Sequence, residues 1–296
     1  MVKNPLLLLL KGVAMGAADV VPGVSGGTIA FITGIYDELL SSLKKISPSA
    51  LAILFRQGFF AFWHHINGPF LLTLGCGILL SVFTLAKGIS WMLVNHPIPV
   101  WSFFSGLVLV SVWHMLRQLP RLEFFSILGL ISGTGFAWWF SGMAPLKAAN
   151  PELLTFFICG AVAICAMILP GISGSFLLLL LGIYEPVLQA VTTLNAPVLV
   201  VFASGCLAGL LLFSRVLSWL LANARNITMG LLTGMMLGSM NRIWPWKQIN
   251  SDQISNVLPH TYEQLTGDSS QLTSACIAAL AAVTLVLIIE RIAERS

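Results

Sequence analysis

The sequence predicts an all-α polytopic membrane protein with two inverted-topology repeats, each containing a broken helix folded as a re-entrant hairpin. Hydrophobic residues make up 57% of its 296 residues and charged residues only 9%, whereas charged residues are roughly a quarter of soluble domains. The mean hydropathy is +0.92. A motif rich in proline and glycine occurs twice, and an odd number of apolar runs separates its copies. An odd number of crossings places the two copies in opposite orientations.

The first copy of the motif lies within a broken apolar segment of about residues 5–40. It covers residues 19–28 with the sequence DVVPGVSGGT. Pro22 and Gly23 end one apolar helix, small residues follow, and a second apolar run begins. The leucine-rich residues 6–10 resemble the apolar part of a secretion signal. No small-residue cleavage site follows them, so we expect them to be retained.

The second copy covers residues 169–175 with the sequence LPGISGS, inside a broken segment of about residues 151–189. Here Pro170 and Gly171 interrupt the helix. Four residue pairs keep one offset of 148 positions, as in 170 minus 22. The pairs are Pro22 with Pro170, Ser25 with Ser173, Gly34 with Gly182, and Tyr36 with Tyr184. A constant offset over this distance indicates an internal duplication.

Six further apolar runs are long enough to cross a membrane. They cover about residues 69–94, 99–117, 122–142, 196–222, 226–243 and 272–290. The aromatic run at residues 59–63 is too short to span roughly 30 Å of hydrocarbon, and we expect it to lie flat at the interface.

We expect residues 1–296 to form a single transmembrane domain. A weaker repeat signal extends the duplication beyond the motifs, because Lys87 and Arg215 each lie four residues before a tryptophan. The predicted parts are a first inverted repeat at 12–120, a second at 160–245, an extracytoplasmic loop at 244–271, and a final span with a cytoplasmic tail at 272–296.

Loop charges predict the orientation of the chain. If each broken segment enters and leaves on one side, most loop cations share a side, which the positive-inside rule makes cytoplasmic together with both termini. The cations of that side are Lys3, Lys44, Lys45, Arg56, Arg117, Arg121, Arg225, Arg291 and Arg295, against Lys147, Lys247 and the borderline Arg242 on the other. The net charge of +4 is too small and too dispersed to indicate nucleic-acid binding.

The two helix breaks form the candidate binding site. Irregular backbone at membrane depth is tolerated only where protein or water satisfies its polar groups, so both breaks should line a cavity. The half-helix after each break directs N–H groups into this cavity, which suits an anion such as phosphate or carboxylate. The predicted phosphate-binding residues are Ser25, Gly26, Gly27, Thr28, Ser173, Gly174 and Ser175. The alternative is that the glycines only permit tight helix packing.

Three cations lie inside apolar runs, namely Lys11, Lys87 and Arg215. Intramembrane charges usually face a transport pathway or a partner. Because Lys87 and Arg215 match each other in the two repeats, we predict that they hold a phosphate from either side. The alternatives are an ion pair or snorkelling to the interface.

Asp19 has no acidic counterpart, because its matching position is Met167. A buried carboxylate can carry a coupling proton. Alternatively, Asp19 caps the half-helix or pairs with Lys11. Tyr36 and Tyr184, which follow the two half-helices, are candidate gates at the hairpin mouths.

The serine motif also permits an enzymatic interpretation. Residues 23–27 fit G-x-S-x-G, and residues 171–174 resemble the G-x-S-G of intramembrane rhomboid serine proteases. A serine nucleophile needs a base within hydrogen-bond reach, but the span histidine, His114, has no counterpart in the second half. We therefore predict a non-enzymatic protein with no cofactor and no metal site. The five cysteines lie in apolar runs and are expected to be packing residues.

These motifs resemble a bacterial membrane family first catalogued as domain of unknown function 368, whose members are linked to undecaprenyl-phosphate translocation (the PopT type). The resemblance covers nearly the whole chain. It rests on residues 16–28 and 34–36, and on the second copy at residues 170–175 and 182–185. The second copy departs from the first by having Met167 for the aspartate and Ser175-Phe176 for Gly-Thr, so any acid chemistry would belong to the first half.

The resemblance implies a flippase of the bacterial cytoplasmic membrane. Our mechanistic hypothesis is that the protein returns undecaprenyl phosphate from the outer to the inner leaflet, where the lipid serves the synthesis of peptidoglycan and other envelope polymers. We expect alternating access of one site to the two leaflets, with polyprenyl phosphate and the bilayer as partners. The alternative is a secondary transporter of a small soluble anion, which shares every feature except lateral access to lipid. No oligomeric state is predicted.

Overall fold

The computed structural model describes residues 4–21, 24–118, 123–143, 151–250 and 253–295. Within these residues the chain forms fifteen α-helices and one antiparallel β-hairpin. The elements are α1 (Pro5–Val20), α2 (Gly26–Ile32), α3 (Tyr36–Lys45), α4 (Pro48–Gln57), α5 (Phe59–His65), α6 (Gly68–Asn95), α7 (Pro97–Gln118), α8 (Phe124–Ser141), α9 (Leu153–Ile168), α10 (Gly174–Leu180), α11 (Tyr184–Thr192), α12 (Ala196–Asn223), α13 (Arg225–Ile243), β1 (Lys247–Asn250), β2 (Gln253–Asn256), α14 (Pro259–Thr266) and α15 (Leu272–Arg295). Five residues used in the predictions lie outside the described residues, namely Pro22, Gly23, Lys3, Arg121 and Lys147.

The prediction of an all-α polytopic membrane protein is confirmed. All six predicted spans are helical, as α6, α7, α8, α12, α13 and α15. By length and apolar composition, α6, α7, α8 and α12 could each cross a membrane, and the pair α10 and α11, bent by 107°, could add a fifth span. Two predicted spans differ. In α15 the apolar part, Leu272–Ile288, is shorter than this test requires, and α13 does not meet the test either. Its sequence is rich in glycine and hydroxyl residues, and most of it is buried.

Side-chain caps start several of these helices. The Asn4 side chain accepts a hydrogen bond from the Leu6 N–H at 3.0 Å at the start of α1. Asn195 occupies the same position before α12. Ser25 and Ser173 cap the short helices α2 and α10, so the serine of each motif defines where its half-helix begins.

The duplication is visible in the order and length of the helices. Helices α1 and α9 both have 16 residues, α2 and α10 both have 7, and α6 and α12 both have 28. The α1–α3 segment matches α9–α11, and α6–α7 matches α12–α13. Helices α4 and α5 are an insertion in the first copy, which explains why the offset changes after the hairpins.

Backbone contacts repeat in the same way. In each copy, two glycines bring the hairpin's first helix against the long helix, since an added Cβ would lie within 2.6 Å of a carbonyl oxygen of the other helix. The matched contacts are Gly12 on the Leu74 carbonyl and Gly77 on the Leu9 carbonyl, then Gly160 on the Phe202 carbonyl and Gly205 on the Phe157 carbonyl. The duplicated packing of α1 on α6 and of α9 on α12 is therefore a structural fact. The inverted orientation of the two copies stays a prediction.

The chain divides into two compact units. The first combines residues 1–83 and 145–225 and contains both hairpins. The second combines residues 84–144 and 226–296. Each compact unit contains residues from both predicted repeats. The boundaries of the units therefore do not coincide with the boundaries of the repeats.

The second unit contains a glycine-mediated helix pair and an ordered loop. Glycines of α8 and α13, including Gly133 and Gly234, place the two backbones in direct contact. The loop after α13 contains the β1–β2 hairpin, which composition did not predict. Trp246 packs with Ile98 and Ala275 in a small core under this loop.

The inserted α5 has no buried residues and carries the predicted interfacial aromatic run. Phe59 and Phe60 are exposed, as is Phe55 of the preceding α4. This exposure suits a helix that lies at a lipid interface. Its position relative to the membrane stays a prediction.

Candidate functional site

The two hairpins of the first unit have the same backbone plan. In the first, α1 ends before the break, Ser25 caps α2, and Gly34 turns the chain with a φ of 70°. In the second, α9 ends before the break, Ser173 caps α10, and Gly182 turns the chain with a φ of 69°. The positive φ explains both turn glycines, because residues with a Cβ rarely adopt this conformation.

The N-terminal end of α2 is capped by the chain's own carboxylate. The Gly26 N–H donates to Oδ1 of Asp19 at 2.7 Å, and the Gly27 N–H donates to Oγ of Ser25 at 3.1 Å. A Cβ on Gly26 would lie 2.6 Å from the Asp19 carboxylate, so a larger residue here would displace the carboxylate from its present position. In this conformation Asp19 is a cap, which was one of its three predicted roles. The donors predicted to bind an anion at the first break are therefore already occupied.

Lys11 lies at the opposite end of α2. Its side chain is buried, and Nζ donates to the Thr33 carbonyl at 2.7 Å. The helix dipole is favourable to an anion at the N-terminus and a cation at the C-terminus. Asp19 and Lys11 thus hold the two ends of one seven-residue helix, rather than pairing with each other.

Hydroxyl groups of the first hairpin donate hydrogen bonds to backbone carbonyls at the break of the second hairpin. Oγ of Ser25 donates to the carbonyls of Met167 and Leu169 at 3.2 and 3.1 Å, and the Tyr36 hydroxyl donates to the Ile168 carbonyl at 3.1 Å. These are carbonyls at the end of α9, which have no partner inside that helix. The hairpins therefore cross at their tips and share hydrogen bonds.

Two more residues of the first hairpin complete the crossing. Oγ1 of Thr28 accepts a hydrogen bond from the Gly171 N–H at 3.1 Å. Gly27 lies so near the end of α9 that an added Cβ would be 2.7 Å from the Ile168 oxygen. The glycines of this motif thus do permit tight packing, as the alternative interpretation held, and the packing also builds a polar junction.

The tip of the second hairpin is more open. The hydroxyls of Ser173 and Ser175 lie 2.9 Å apart, and Ser175 is half-buried. In the part of the chain that the structure describes, the N–H groups of Gly174 and Ser175 have no hydrogen-bond partner. Tyr184 is 41% exposed, whereas Tyr36 is 3% exposed. Of the N–H groups predicted to bind an anion, those of Gly174 and Ser175 are therefore the ones that the described residues leave without a partner.

The two cations predicted to hold phosphate have different surroundings. Arg215 is half-buried, and its Nη2 donates to the Ile46 carbonyl at 3.4 Å, at the C-terminal cap of α3. Lys87 is exposed on α6 and belongs to the second unit. A joint role of this pair in phosphate binding stays a prediction.

Ser25 does not have the surroundings of a nucleophile. Its hydroxyl donates to backbone carbonyls and accepts from the Gly27 N–H. Through these bonds the Ser25 hydroxyl joins the end of α9 to the start of α2. This structural role accounts for a serine at this position without a catalytic function.

Sequence reasoning missed the contacts that hold the tips together. It identified Lys11 and Tyr36 but not their partners, the Thr33 and Ile168 carbonyls. A signal was present in the offset of 148 residues. Lys11, Asp19 and Thr28 stand opposite Cys159, Met167 and Phe176, so at these three positions the first hairpin has a polar or charged side chain that the second lacks.

Comparisons with known proteins identify one family of membrane transporters. The profile of a family described as undecaprenyl phosphate translocase-like matches residues 15–258. A polyprenyl-phosphate transporter of Vibrio cholerae is 53% identical, over 99% of this chain and 98% of the relative. A polyprenyl-phosphate transporter of Staphylococcus aureus is 31% identical, over 80% of this chain and 85% of the relative. No solved structure matches.

Both relatives are named as transporters. This agrees with the prediction that the protein is not an enzyme and with the structural use of Ser25. The match of the profile spans both helix breaks and most of the described helices. The chain belongs to the undecaprenyl phosphate translocase-like family.

Proposed function

We propose that this protein moves polyprenyl phosphate, in particular undecaprenyl phosphate, across the bacterial cytoplasmic membrane. The lipid returns from the outer to the inner leaflet, where it serves the synthesis of peptidoglycan and other envelope polymers. The observation that carries the proposal is the crossing of two helix breaks in a chain 53% identical to a polyprenyl-phosphate transporter. The loop charges support an orientation with both termini in the cytoplasm.

The physical problem of such a substrate is its headgroup. A charged phosphate is very unfavourable in hydrocarbon, whereas the polyprenyl tail is soluble there. A protein therefore needs to shield only the headgroup, with a polar site that opens sideways to the lipid. Broken helices supply such a site, because they place N–H and hydroxyl groups at membrane depth.

The second hairpin is the better candidate to bind the phosphate. In the first hairpin the Asp19 carboxylate accepts from the Gly26 N–H. The equivalent glycine of the second hairpin is Gly174, and the residue matching Asp19 is Met167, which cannot accept this bond. In the described state the Met167 side chain lies against Gly174. We propose that the substrate phosphate displaces this side chain and binds between the N–H groups of Gly174 and Ser175 and the hydroxyl of Ser173.

We propose that the crossing exchanges between two states. In the described state, Ser25 and Tyr36 donate to the end of α9. In the other state, Ser173 and Tyr184 would donate to the matching end of α1, and Tyr36 would become exposed. The matched helix lengths and matched glycine contacts support this exchange, because the two copies then offer each other equivalent surfaces. The tyrosines would act as the predicted gates.

The test is translocation in proteoliposomes that contain the purified protein and undecaprenyl phosphate. We expect the headgroup to change leaflets with the wild type, and Lys87→Ala or Arg215→Ala to reduce the rate while the protein stays folded. Lys44→Ala, an exposed cation of α3, is the control and should transport normally. Uptake of inorganic phosphate without movement of the lipid would instead identify a small-anion transporter. Normal lipid transport by both variants would refute the roles of Lys87 and Arg215.

A further inference from the structure

An asparagine directly precedes the long helix of each copy, and the two asparagines have different surroundings. Asn67 precedes α6 and Asn195 precedes α12, so they are equivalent residues of the duplicated chain. In the first copy, Nδ2 of Asn67 donates to Oε1 of Glu38 and to Oγ of Ser42, both at 3.1 Å. These two bonds join the start of α6 to α3.

The second copy lacks both acceptors. At the offset of 148 residues, Glu38 and Ser42 correspond to Pro186 and Ala190 of α11, whose side chains cannot accept a hydrogen bond. Oδ1 of Asn195 accepts from a backbone N–H of α12 at 3.5 Å, as the cap of that helix. Among the described residues, Nδ2 of Asn195 has no acceptor.

A cavity of about 370 Å³ lies where the first copy has this network. It is formed by the end of α11 and the first turns of α9 and α12, and Pro186, Ala190 and Asn195 all line it. The space that two polar side chains fill in the first copy is therefore not filled by packing in the second. Its volume is within the range of small-ligand sites in proteins.

The lining of the cavity is polar but uncharged in the part of the chain that the structure describes. Besides Asn195 it contains Gln189, whose side-chain amide has no described partner, and Thr193. Oγ1 of Thr193 donates to the Gln189 carbonyl at 2.8 Å and can still accept. Amides and hydroxyls match ligand hydroxyls, which both donate and accept. An isolated charged group would find no compensation here.

Exposed apolar residues surround the polar cavity in the sequence. Leu188, Val191, Leu194 and Val200 lie beside its lining residues in α11 and α12, and each is at least half exposed. A cluster of exposed apolar residues at the ends of membrane helices is suited to contact with lipid chains. The cavity therefore combines a polar site with an apolar border, which is the chemistry of a lipid headgroup and its chains.

We propose that this cavity binds an uncharged polyhydroxyl group carried by a membrane lipid, such as the glycerol headgroup of phosphatidylglycerol. The amides of Asn195 and Gln189 donate to its hydroxyls, and Thr193 accepts from one of them. The bound lipid joins the start of α12 to α11, as Glu38 and Ser42 join the equivalent elements of the first copy. The site is separate from the helix breaks, and the inference does not depend on the transported substrate.

The experiment is native mass spectrometry of the full-length protein with three probes. These are phosphatidylglycerol, phosphatidylpropanol with the same chains and charge but no headgroup hydroxyls, and glycerophosphoglycerol, the soluble headgroup without chains. We expect phosphatidylglycerol to bind about fivefold more tightly than phosphatidylpropanol, as for one neutral hydrogen bond. Equal affinity for the two lipids would overturn the proposal. Glycerophosphoglycerol that binds as tightly as the lipid would overturn the assignment to a lipid and identify a soluble polyol.

Two single variants remove the amides while they preserve the helices. Asn195→Ser keeps an oxygen that can cap α12, and Gln189→Met keeps the length of an exposed side chain. Both should lose the preference for phosphatidylglycerol over phosphatidylpropanol. Gln264→Met replaces an exposed glutamine of α14 and is the matched control, which should keep the preference. An unchanged preference in both Asn195→Ser and Gln189→Met would contradict the site.

A double variant fills the cavity instead of weakening it. Pro186→Glu with Ala190→Ser gives Asn195 the two acceptors that Asn67 has in the first copy. We expect the lipid preference to be lost, while the thermal unfolding midpoint without added lipid stays equal to or above that of the wild type. This result separates loss of the site from loss of folding. A folded double variant that still prefers phosphatidylglycerol would overturn the proposal.

Discussion

The two hairpins have half-helices of equal length and equal turns, yet they satisfy their polar groups in different ways. The first hairpin holds α2 between Asp19 and Lys11, whereas the matching residues of the second are Met167 and Cys159. The break of the second hairpin depends on hydroxyls that the first supplies. A duplicated motif can therefore keep its backbone and divide its polar functions between the copies.

This division has a physical reason. A buried backbone group without a partner costs about 1–3 kcal/mol, and each break exposes several such groups. Because the tips cross, one set of side chains serves both breaks. The second hairpin can then leave the Gly174 and Ser175 N–H groups without a partner among the described residues. A binding site requires such groups, whereas a purely structural turn does not.

Substitutions at Gly27 and at its counterpart Ser175 should differ most in their effect on the free energy of unfolding. A Cβ on Gly27 would lie 2.7 Å from the Ile168 oxygen, a backbone atom that cannot move aside easily. We expect Gly27→Val to lower the free energy of unfolding by on the order of 3 kcal/mol, and Ser175→Gly to lower it by less than about 1 kcal/mol. Denaturant titration in detergent micelles measures both. Equal effects would mean that the crossing of the tips is not formed.

Removal of the Asp19 cap should cause the next largest loss in the free energy of unfolding. Asp19→Ala leaves the buried Gly26 N–H without its acceptor and should destabilise the protein by about 2 kcal/mol. Met167→Ala, at the matching position, should cost less than about 1 kcal/mol because Met167 is partly exposed. Denaturant titration in detergent micelles measures the loss for both variants.

Asp19→Asn separates the cap from proton coupling. Its amide oxygen can still accept from the Gly26 N–H, so stability should stay close to that of the wild type. Transport that depends on a proton gradient in the wild type should lose this dependence in Asp19→Asn if the carboxyl carries the proton. Unchanged dependence on the gradient would leave Asp19 with the role of a cap alone.

Lys11 tests the other end of the same helix. Lys11→Met removes the bond to the Thr33 carbonyl but fills the same volume, and we expect a loss of about 1–2 kcal/mol. Lys44→Met removes an exposed cation and should change stability by no more than about 0.5 kcal/mol. Thermal and denaturant unfolding of the two variants would reveal whether α2 needs a cation at its C-terminus.

Substitution of the tyrosines should have the smallest effect, which is a shift in the populations of the two proposed states. The shift should go in opposite directions for Tyr36 and Tyr184. Tyr36→Phe removes one buried hydrogen bond worth about 1 kcal/mol in the described state, which shifts a two-state population about fivefold. Tyr184→Phe should shift it the other way, because Tyr184 is exposed in this state. Spin-label distances across the hairpin tips would measure the shift. A shift in one direction for both variants would contradict the proposed exchange.

The sequence by itself determined the membrane class, the positions of the long helices and the duplication of the breaks. These properties follow from local composition and from a constant offset, which need no knowledge of distant contacts. The predicted run at 196–222 became α12 (Ala196–Asn223), and the serine of each motif became a helix cap. The hydrophilic loop was predicted only as a loop, because its strands are short and its core uses Ile98 of α7.

Only the tertiary structure decided which groups meet. Ser25 and Met167 are 142 residues apart, and Arg215 and Ile46 are 169 apart. A side chain's chemistry limits what it can bind, but the choice among many equivalent carbonyls depends on how the helices cross. Asp19 is an example, since the sequence allowed a cap, an ion pair or a proton carrier, and the approach of Gly26 selected the cap in this state. Backbone carbonyls and N–H groups are the same in every residue, so the fold alone can choose between them.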